Sequence, residues 1–117
     1  LGAALPRHGV AEDKLIDAEQ CVRLTAIDRT RVVDGQNILF YMKNGDIYRN
    51  RLPRECPGLA FEDTFMYRTS LNQLCNVDII TVLQNIGFGF QPGISCGLGM
   101  FEPIDELTAE ELLRTEE

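Results

Sequence analysis

The sequence predicts a mainly β fold: a small, disulfide-stapled antiparallel barrel or sandwich with a short C-terminal helix. Short runs rich in Val, Ile, Phe and Tyr are separated by turn-forming pairs such as Asp34-Gly35 and Asn44-Gly45. Four widely spaced cysteines are a second indication, and an amphipathic pattern near the end of the chain is a third. With 117 residues, of which 44% are hydrophobic, the chain is expected to form one core.

The charge pattern divides the chain into three zones. We expect a flexible N-terminal arm (1–20), a disulfide-stapled β domain (21–104) and an acidic C-terminal helix or tail (105–117). The net charge of −7 resides in the two ends, because basic and acidic residues are equal in number within the β domain. Nucleic-acid binding needs a basic surface, so no nucleic-acid partner is predicted. The longest apolar runs fall short of the roughly 18 residues of a transmembrane helix, so no transmembrane segment is predicted.

The cysteines are Cys21, Cys56, Cys75 and Cys96. Zinc sites usually take ligands in close pairs such as C-x₂-C, and thioredoxin-like sites need C-x-x-C; neither spacing occurs here. Two structural disulfides are therefore predicted, with buried free thiols as the alternative, and disulfides indicate an oxidising compartment. Three pairings satisfy the sequence. We favour Cys56–Cys75 with Cys21–Cys96, because the latter would tie the ends of the β domain together.

Residues 37–52 have the pattern of a β-hairpin. Asn44-Gly45 favours a two-residue type I′ turn, whose twist matches that of the flanking strands. This turn sets a register in which Tyr41 faces Tyr48 and Phe40 faces Arg49. Both faces of the hairpin are then largely apolar, which predicts that each is covered, either within a small barrel or by a helix packed outside.

This register provides the candidate binding residues. One face would present the two tyrosines as an aromatic surface. The other would present arginines, which receive carboxylate or phosphate groups or, more commonly, protect an exposed sheet edge from pairing. The candidates are Tyr41, Tyr48, Arg49 and Arg51.

Further strands are predicted at 22–27, 31–33, 65–69 and 77–83, the last of them central in its sheet. Asp78 begins that central strand, where a carboxylate either acts in catalysis with a raised pKa or, more commonly, accepts turn amides. The Gly-rich stretch 87–99 lacks the Lys-Ser/Thr of a phosphate-binding loop. It is predicted to form bends, with Phe88, Phe90 and Phe101 in the core or at its rim.

The C-terminal tail carries a helix-start pattern. Thr108-Ala-Glu-Glu fits a capping box in which Thr108 is the N-cap and Glu111 returns a hydrogen bond to it. Leu107, Leu112 and Leu113 supply an apolar stripe. The expected partner of this stripe is the chain's own β domain, with docking on another protein as the alternative.

Residues for common catalytic chemistry are few. The single histidine, His8, lies in the N-terminal arm, so a Ser-His-Asp or Cys-His arrangement has no well-positioned base, and a histidine metal site has no second imidazole. No catalytic residue, cofactor or metal is predicted.

Several Cys-bearing segments together resemble a known family. They are Cys21-Val-Arg-Leu, Cys56-Pro-Gly-Leu, Leu74-Cys-Asn-Val-Asp and Cys96-Gly-Leu-Gly-Met-Phe-Glu-Pro-Ile. They resemble a family of small exported proteobacterial proteins, many of them apparent lipoproteins, classed as a domain of unknown function. The resemblance covers most of 21–104. It implies paired cysteines and a periplasmic or extracellular location, with membrane anchoring of a precursor left open, and it assigns no catalytic residue.

The expected function is a non-enzymatic binding or structural module of the periplasm or cell envelope, with a protein partner there. The alternative is a small enzyme or ligand carrier that uses Asp78 or the face shared by Tyr41 and Tyr48. The sequence leaves the oligomeric state open.

Overall fold

The structure, a computed structural model, describes residues 18–69 and 71–115. Its strands, all paired antiparallel, are β1 Cys21–Arg23, β2 Ile27–Val32, β3 Asn37–Met42, β4 Ile47–Arg51, β5 Phe65–Tyr67, β6 Gln73–Cys75, β7 Ile79–Asn85, β8 Phe90–Gly97 and β9 Phe101–Ile104. Its helices are a 3₁₀ turn, Leu24–Ala26, and the α-helices α1 Leu59–Glu62 and α2 Glu106–Thr115. The predicted N-terminal arm lies outside the described residues, except for 18–20.

Three sheets form a sandwich-like arrangement. The orders are β2-β3-β4-β9, β5-β7-β8 and β1-β6. Buried side chains of β3 and β7 share one apolar cluster, so the three-stranded sheet packs on the four-stranded sheet. A second cluster joins the opposite face of β3 and β4 to α2. The predicted mainly β fold with a short C-terminal helix is confirmed, and the sheets do not close into a barrel.

The main core lies between the two larger sheets. Phe40 and Phe101 meet edge to face with ring centroids 5.2 Å apart, and Tyr48 packs against Phe101 at 6.4 Å. The other fully buried side chains here are aliphatic residues and one cysteine: Ile38, Leu52, Leu59, Leu74, Ile80, Val82 and Cys56. The run 77–83 was predicted to be central, and β7 does lie between β5 and β8.

The predicted register of the β3–β4 hairpin is wrong by one residue. Phe40 lies opposite Tyr48, and Tyr41 lies opposite Ile47. The loop has three residues rather than two, because Met42 N donates to Asp46 O at 2.8 Å and Gly45 N donates to Met42 O at 3.0 Å. Only Gly45 in this loop has a positive φ (99°), as in a type I turn followed by a bulge. The Asn44 side chain favours this form, because its Oδ1 accepts the Asp46 amide at 2.9 Å.

Helix α2 covers the outer face of the four-stranded sheet, as expected for docking on the chain's own domain. Ala109 is buried, and Leu112 and Leu113 pack against the cluster that contains Leu39 and Ile47, whereas Leu107 of the predicted stripe is 73% exposed. The predicted N-cap is wrong. Asp105 caps the helix instead, its Oδ1 accepting the Thr108 amide at 2.8 Å. Aspartate is as good an N-cap as threonine or better, and it also places a negative charge at the positive end of the helix dipole.

Removing this cap has a measurable consequence. We expect Asp105→Ala to lower the free energy of unfolding by about 1 kcal/mol, because a helix amide loses its acceptor. Asp105→Asn keeps an acceptor and should change stability by only a few tenths of a kcal/mol. Urea denaturation followed by circular dichroism measures both. Equal losses in the two variants would show that the cap contributes nothing.

Two disulfides are present, as predicted, but the favoured pairing is wrong. Cys21 pairs with Cys75, and Cys56 pairs with Cys96. Cys21 and Cys75 lie directly opposite each other in the β1–β6 ribbon, with Cα atoms 4.0 Å apart. Cys96 belongs to β8 and meets Cys56 in the loop after β4, so this disulfide links the two larger sheets. Strand pairing, rather than position at the ends of the domain, selects the partners.

Candidate functional site

Tyr41 and Tyr48 do not share a face of the sheet. Tyr41 packs with the cluster beneath α2, and the Arg29 guanidinium carbon lies 4.0 Å from its ring centroid. Tyr48 points to the other side, where it packs on Phe101 in the main core. The one-residue shift in register separates them, because neighbouring strand positions point to opposite faces. The predicted shared aromatic face is therefore wrong.

Both tyrosines nevertheless line one acidic groove. The groove has a volume of ≈ 530 Å³, in the size range of small-molecule pockets, and Asp46, Asp105 and Glu106 also line it. Burial raises the pKa of Tyr48 above its ordinary value, and the carboxylates of Asp46 and Glu19 raise it further. Tyr48 is thus held in its neutral form, as a hydrogen-bonding rather than a charged group.

The raised pKa of Tyr48 predicts alkaline sensitivity. Because its folded-state pKa lies above the ordinary 10.0, the native state binds the phenol proton more tightly than the unfolded chain does. This contribution to stability is fully present below about pH 10 and is lost as the pH rises through the folded-state pKa. Tyr48→Phe should therefore show a shallower decline of unfolding free energy above that pH, measured by urea titration. Identical declines in both proteins would contradict the assignment.

Arg49 and Arg51 lie on a central strand, since β4 is paired on both sides by β3 and β9. Their predicted use in protecting a sheet edge is therefore wrong. Arg49 Nη2 lies 3.3 Å from Oε1 of Glu102, its cross-strand neighbour in β9. Arg51 is exposed at the end of β4. The two arginines do not form a free anion-binding pair, because one of them already has a carboxylate partner.

Two roles were considered for Asp78, catalysis and acceptance of turn amides, and the structure shows the second. Its Oδ2 accepts the Cys75 amide at 2.7 Å, and its backbone oxygen accepts the Leu98 amide at 3.1 Å. The carboxylate thus closes the turn between β6 and β7.

Across residues 18–69 and 71–115, no three His, Cys, Asp or Glu side chains are grouped to hold a metal ion. The helices in those same ranges are all too short or too polar to cross a membrane.

The β7–β8 hairpin is the most unusual surface of the described chain. No Asp, Glu, Lys, Arg or His occurs from Ile79 to Phe101, although 25% of all residues are charged. Ile80 and Val82 face the core, whereas Ile79 and Ile94 are 54% and 49% exposed. The hairpin therefore combines an anchored inner face with apolar side chains in water.

The apolar exposure is greatest at the tip of this hairpin. Phe88 is 91% exposed, Phe90 58% and Ile86 42%. Gly87 and Gly89 have φ values of 98° and 140°, which a residue with a side chain rarely adopts, and they shape the turn that carries Phe88. Phe88 was predicted to be in the core or at its rim. That interpretation is wrong for Phe88, which is 91% exposed, whereas Phe101 is fully buried in the core as predicted.

Hydrogen bonds and a disulfide hold the strands of the hairpin in place. The Leu83 amide donates to Thr64 O at 2.9 Å, and the Asn85 amide donates to Glu62 Oε1 at 3.3 Å. Thr81 and Ser95 share a hydrogen bond of 2.9 Å across the two strands. The Cys56–Cys96 disulfide fixes β8 from the other side. The exposed tip is thus presented on an ordered support, with a pocket of ≈ 420 Å³ beside the disulfide between β8 and the loop around Pro53 and Pro57.

Sequence reasoning missed this site because Gly, Pro and Phe in 87–99 were assigned to bends and core. The available signal was the absence of charge from Ile79 to Phe101. Comparisons of the chain with models of protein families, with curated proteins and with solved structures give no match. The candidate site therefore rests on its own geometry: an apolar tip on an uncharged hairpin whose strands are held by hydrogen bonds and a disulfide.

Proposed function

We propose that this protein is a non-enzymatic binding module of the periplasm or cell envelope and that the β7–β8 hairpin is its contact surface. The observation that carries the proposal is the exposure of Phe88 and Phe90 on an uncharged hairpin. Contiguous exposed apolar surface on a soluble domain marks interaction sites. Fully burying one exposed phenylalanine side chain stabilises a complex by roughly 1.5–3 kcal/mol relative to the free protein.

The proposed location is supported by the two disulfides, since such bonds persist in oxidising compartments. The resemblance of the Cys-bearing segments to an exported proteobacterial family points the same way. Residues proposed earlier for catalysis lend the alternative of a small enzyme little support. The Asp78 carboxylate is engaged in a turn, and Tyr41 and Tyr48 lie on opposite faces of their sheet.

Site-directed photo-crosslinking tests the contact surface directly. A benzophenone amino acid replaces Phe88 in the full chain, which is exported by a Gram-negative bacterium and irradiated in intact cells. The matched control carries the same probe at Leu107, which is 73% exposed on α2 and lies outside the hairpin. We expect adducts, with lipid or protein, from position 88 and few from position 107. Equal yields at the two positions, or none at 88, would refute the hairpin as the contact surface.

A further inference from the structure

We infer that the β7–β8 hairpin binds a zwitterionic lipid surface, with the tip from Ile86 to Phe90 entering the interfacial region of the bilayer. This inference rests on the proposed role of the hairpin as the contact surface. It adds the chemical class of the partner.

The distribution of charge favours lipid over protein. Placing a charged side chain in a bilayer is costly, and the hairpin has none from Ile79 to Phe101. Its polar side chains near the tip are amides, those of Gln84, Asn85 and Gln91, and all three are exposed. Protein interfaces, by contrast, usually surround an apolar centre with a polar rim. A neutral amide collar beneath an apolar tip suits the boundary between headgroups and acyl chains.

The shape of the tip is the second argument. The apolar groups project from a turn rather than lining a concavity, so a rigid partner would need a matching cavity, whereas a bilayer rearranges around an inserted group. Interfacial insertion reaches about 5–10 Å, or two to three residues of strand. Gln84 pairs with Gln91 one step below the Asn85–Phe90 pair, so the amide collar would lie near the limit of that depth.

Part of the backbone at the tip already makes its hydrogen bonds within the turn rather than with water. The Ile86 amide donates to Gly89 O at 3.1 Å, and the Gly87 amide donates to Asn85 Oδ1 at 2.9 Å. Each donor paired within the turn avoids a desolvation cost on insertion.

A negative charge beside the hairpin determines which lipid headgroups are favoured. The Asn85 amide, next to the tip, donates a hydrogen bond to the Glu62 carboxylate at 3.3 Å. This negative charge is repelled by anionic headgroups but not by zwitterionic ones. We therefore expect phosphatidylcholine vesicles to bind the protein at least as well as vesicles containing phosphatidylglycerol.

Tryptophan fluorescence provides a specific readout, because the chain contains no Trp. Phe88→Trp in the full chain places the only indole at the tip, and Leu107→Trp places it on α2 as the control. With phosphatidylcholine vesicles, we expect Phe88→Trp to show blue-shifted emission and quenching by brominated acyl chains. Leu107→Trp should show neither. A Phe88→Trp spectrum unchanged by phosphatidylcholine vesicles would overturn the inference.

Vesicle sedimentation measures the strength of binding. The double variant Phe88→Ser with Phe90→Ser should bind phosphatidylcholine vesicles at least tenfold more weakly than the unaltered chain, and Leu107→Ser should bind equally well. Both phenylalanines are exposed, so their replacement should not disturb the fold. An unfolding temperature close to that of the unaltered chain would confirm that the double variant is folded. Binding that requires phosphatidylglycerol and disappears at high salt would overturn the zwitterionic assignment.

Cross-linking separates failure of this inference from failure of the proposed function. Protein adducts alone at position 88, with no vesicle binding, would overturn the lipid inference and leave the hairpin as the contact surface. Absence of both adducts and vesicle binding would remove both. Lipid adducts at 88 together with the Phe88→Trp blue shift would support both.

Discussion

Replacing Cys56 and Cys96 together by alanine is expected to lower the free energy of unfolding by about 4 kcal/mol. The disulfide spans 40 residues, and a closed loop of that length restricts the unfolded chain strongly. Cys56 is only 1% exposed, so the loss of packed sulfur adds to the effect. Small domains have roughly 5–15 kcal/mol in total, so much of the stability depends on this bond. Urea denaturation followed by circular dichroism measures the change.

The second disulfide is the natural comparison. Cys21–Cys75 spans 54 residues, so its removal should cost a similar amount, about 4 kcal/mol. The two disulfides hold different parts of the structure, because Cys56–Cys96 is attached to β8 whereas Cys21–Cys75 joins the two strands of the β1–β6 ribbon. Peptide mapping of the unreduced protein checks the connectivity itself. A peptide joining Cys21 to Cys96, or wild-type stability in either double variant, would contradict the assignment.

Asn50→Ala is expected to lower the free energy of unfolding by about 3 kcal/mol. Asn50 is fully buried, and its side chain makes two hydrogen bonds with the backbone of Gly99. Nδ2 donates to Gly99 O at 2.7 Å, and Oδ1 accepts from Gly99 N at 2.8 Å. Alanine would leave both backbone groups without these partners, and an unpaired buried polar group costs about 1–3 kcal/mol. Thermal and urea unfolding both measure the loss.

Gly99→Ala tests the same contact from the side of its backbone partner. A Cβ at Gly99 would collide with the Arg51 carbonyl oxygen, so the backbone must move and the hydrogen bonds to Asn50 are disturbed. Gly97→Ala is the matched control, because a Cβ there meets nothing within 4 Å. We expect a large loss for Gly99→Ala and almost none for Gly97→Ala. The double variant of Asn50 and Gly99 should lose less than the two single losses added, since both break one contact. Strict additivity would show that the sites act separately.

Local chemistry along the chain predicted several features correctly. Alternating apolar runs and turn pairs indicated a mainly β fold, and the apolar character of both faces of 37–52 indicated cover on both sides. The leucines of the tail indicated a helix, and the spacing of the cysteines indicated disulfides rather than a metal site. These properties depend on residue type and period, which are present in the sequence itself.

Features that depend on a choice between similar local forms were predicted less well. Asn44-Gly45 fits both a two-residue and a three-residue loop, and the observed loop shifts every pair in the hairpin by one. That shift moves Tyr48 to the core side and leaves Tyr41 beneath α2. Likewise, Gly and Pro in β8 disfavour a strand locally, yet pairing with β7 forms one.

The sequence by itself therefore determined a disulfide-bonded, mainly β domain with acidic ends and an uncharged segment from Ile79 to Phe101. Only the tertiary structure decided which cysteines pair and where Phe88 lies. Cys96 meets Cys56 because β8 packs beside the loop that follows β4, and Phe88 is exposed because the β7–β8 turn extends past the short strand β5. Both outcomes arise from contacts between residues far apart in the chain, and the period of side chains along a single strand carries no information about them.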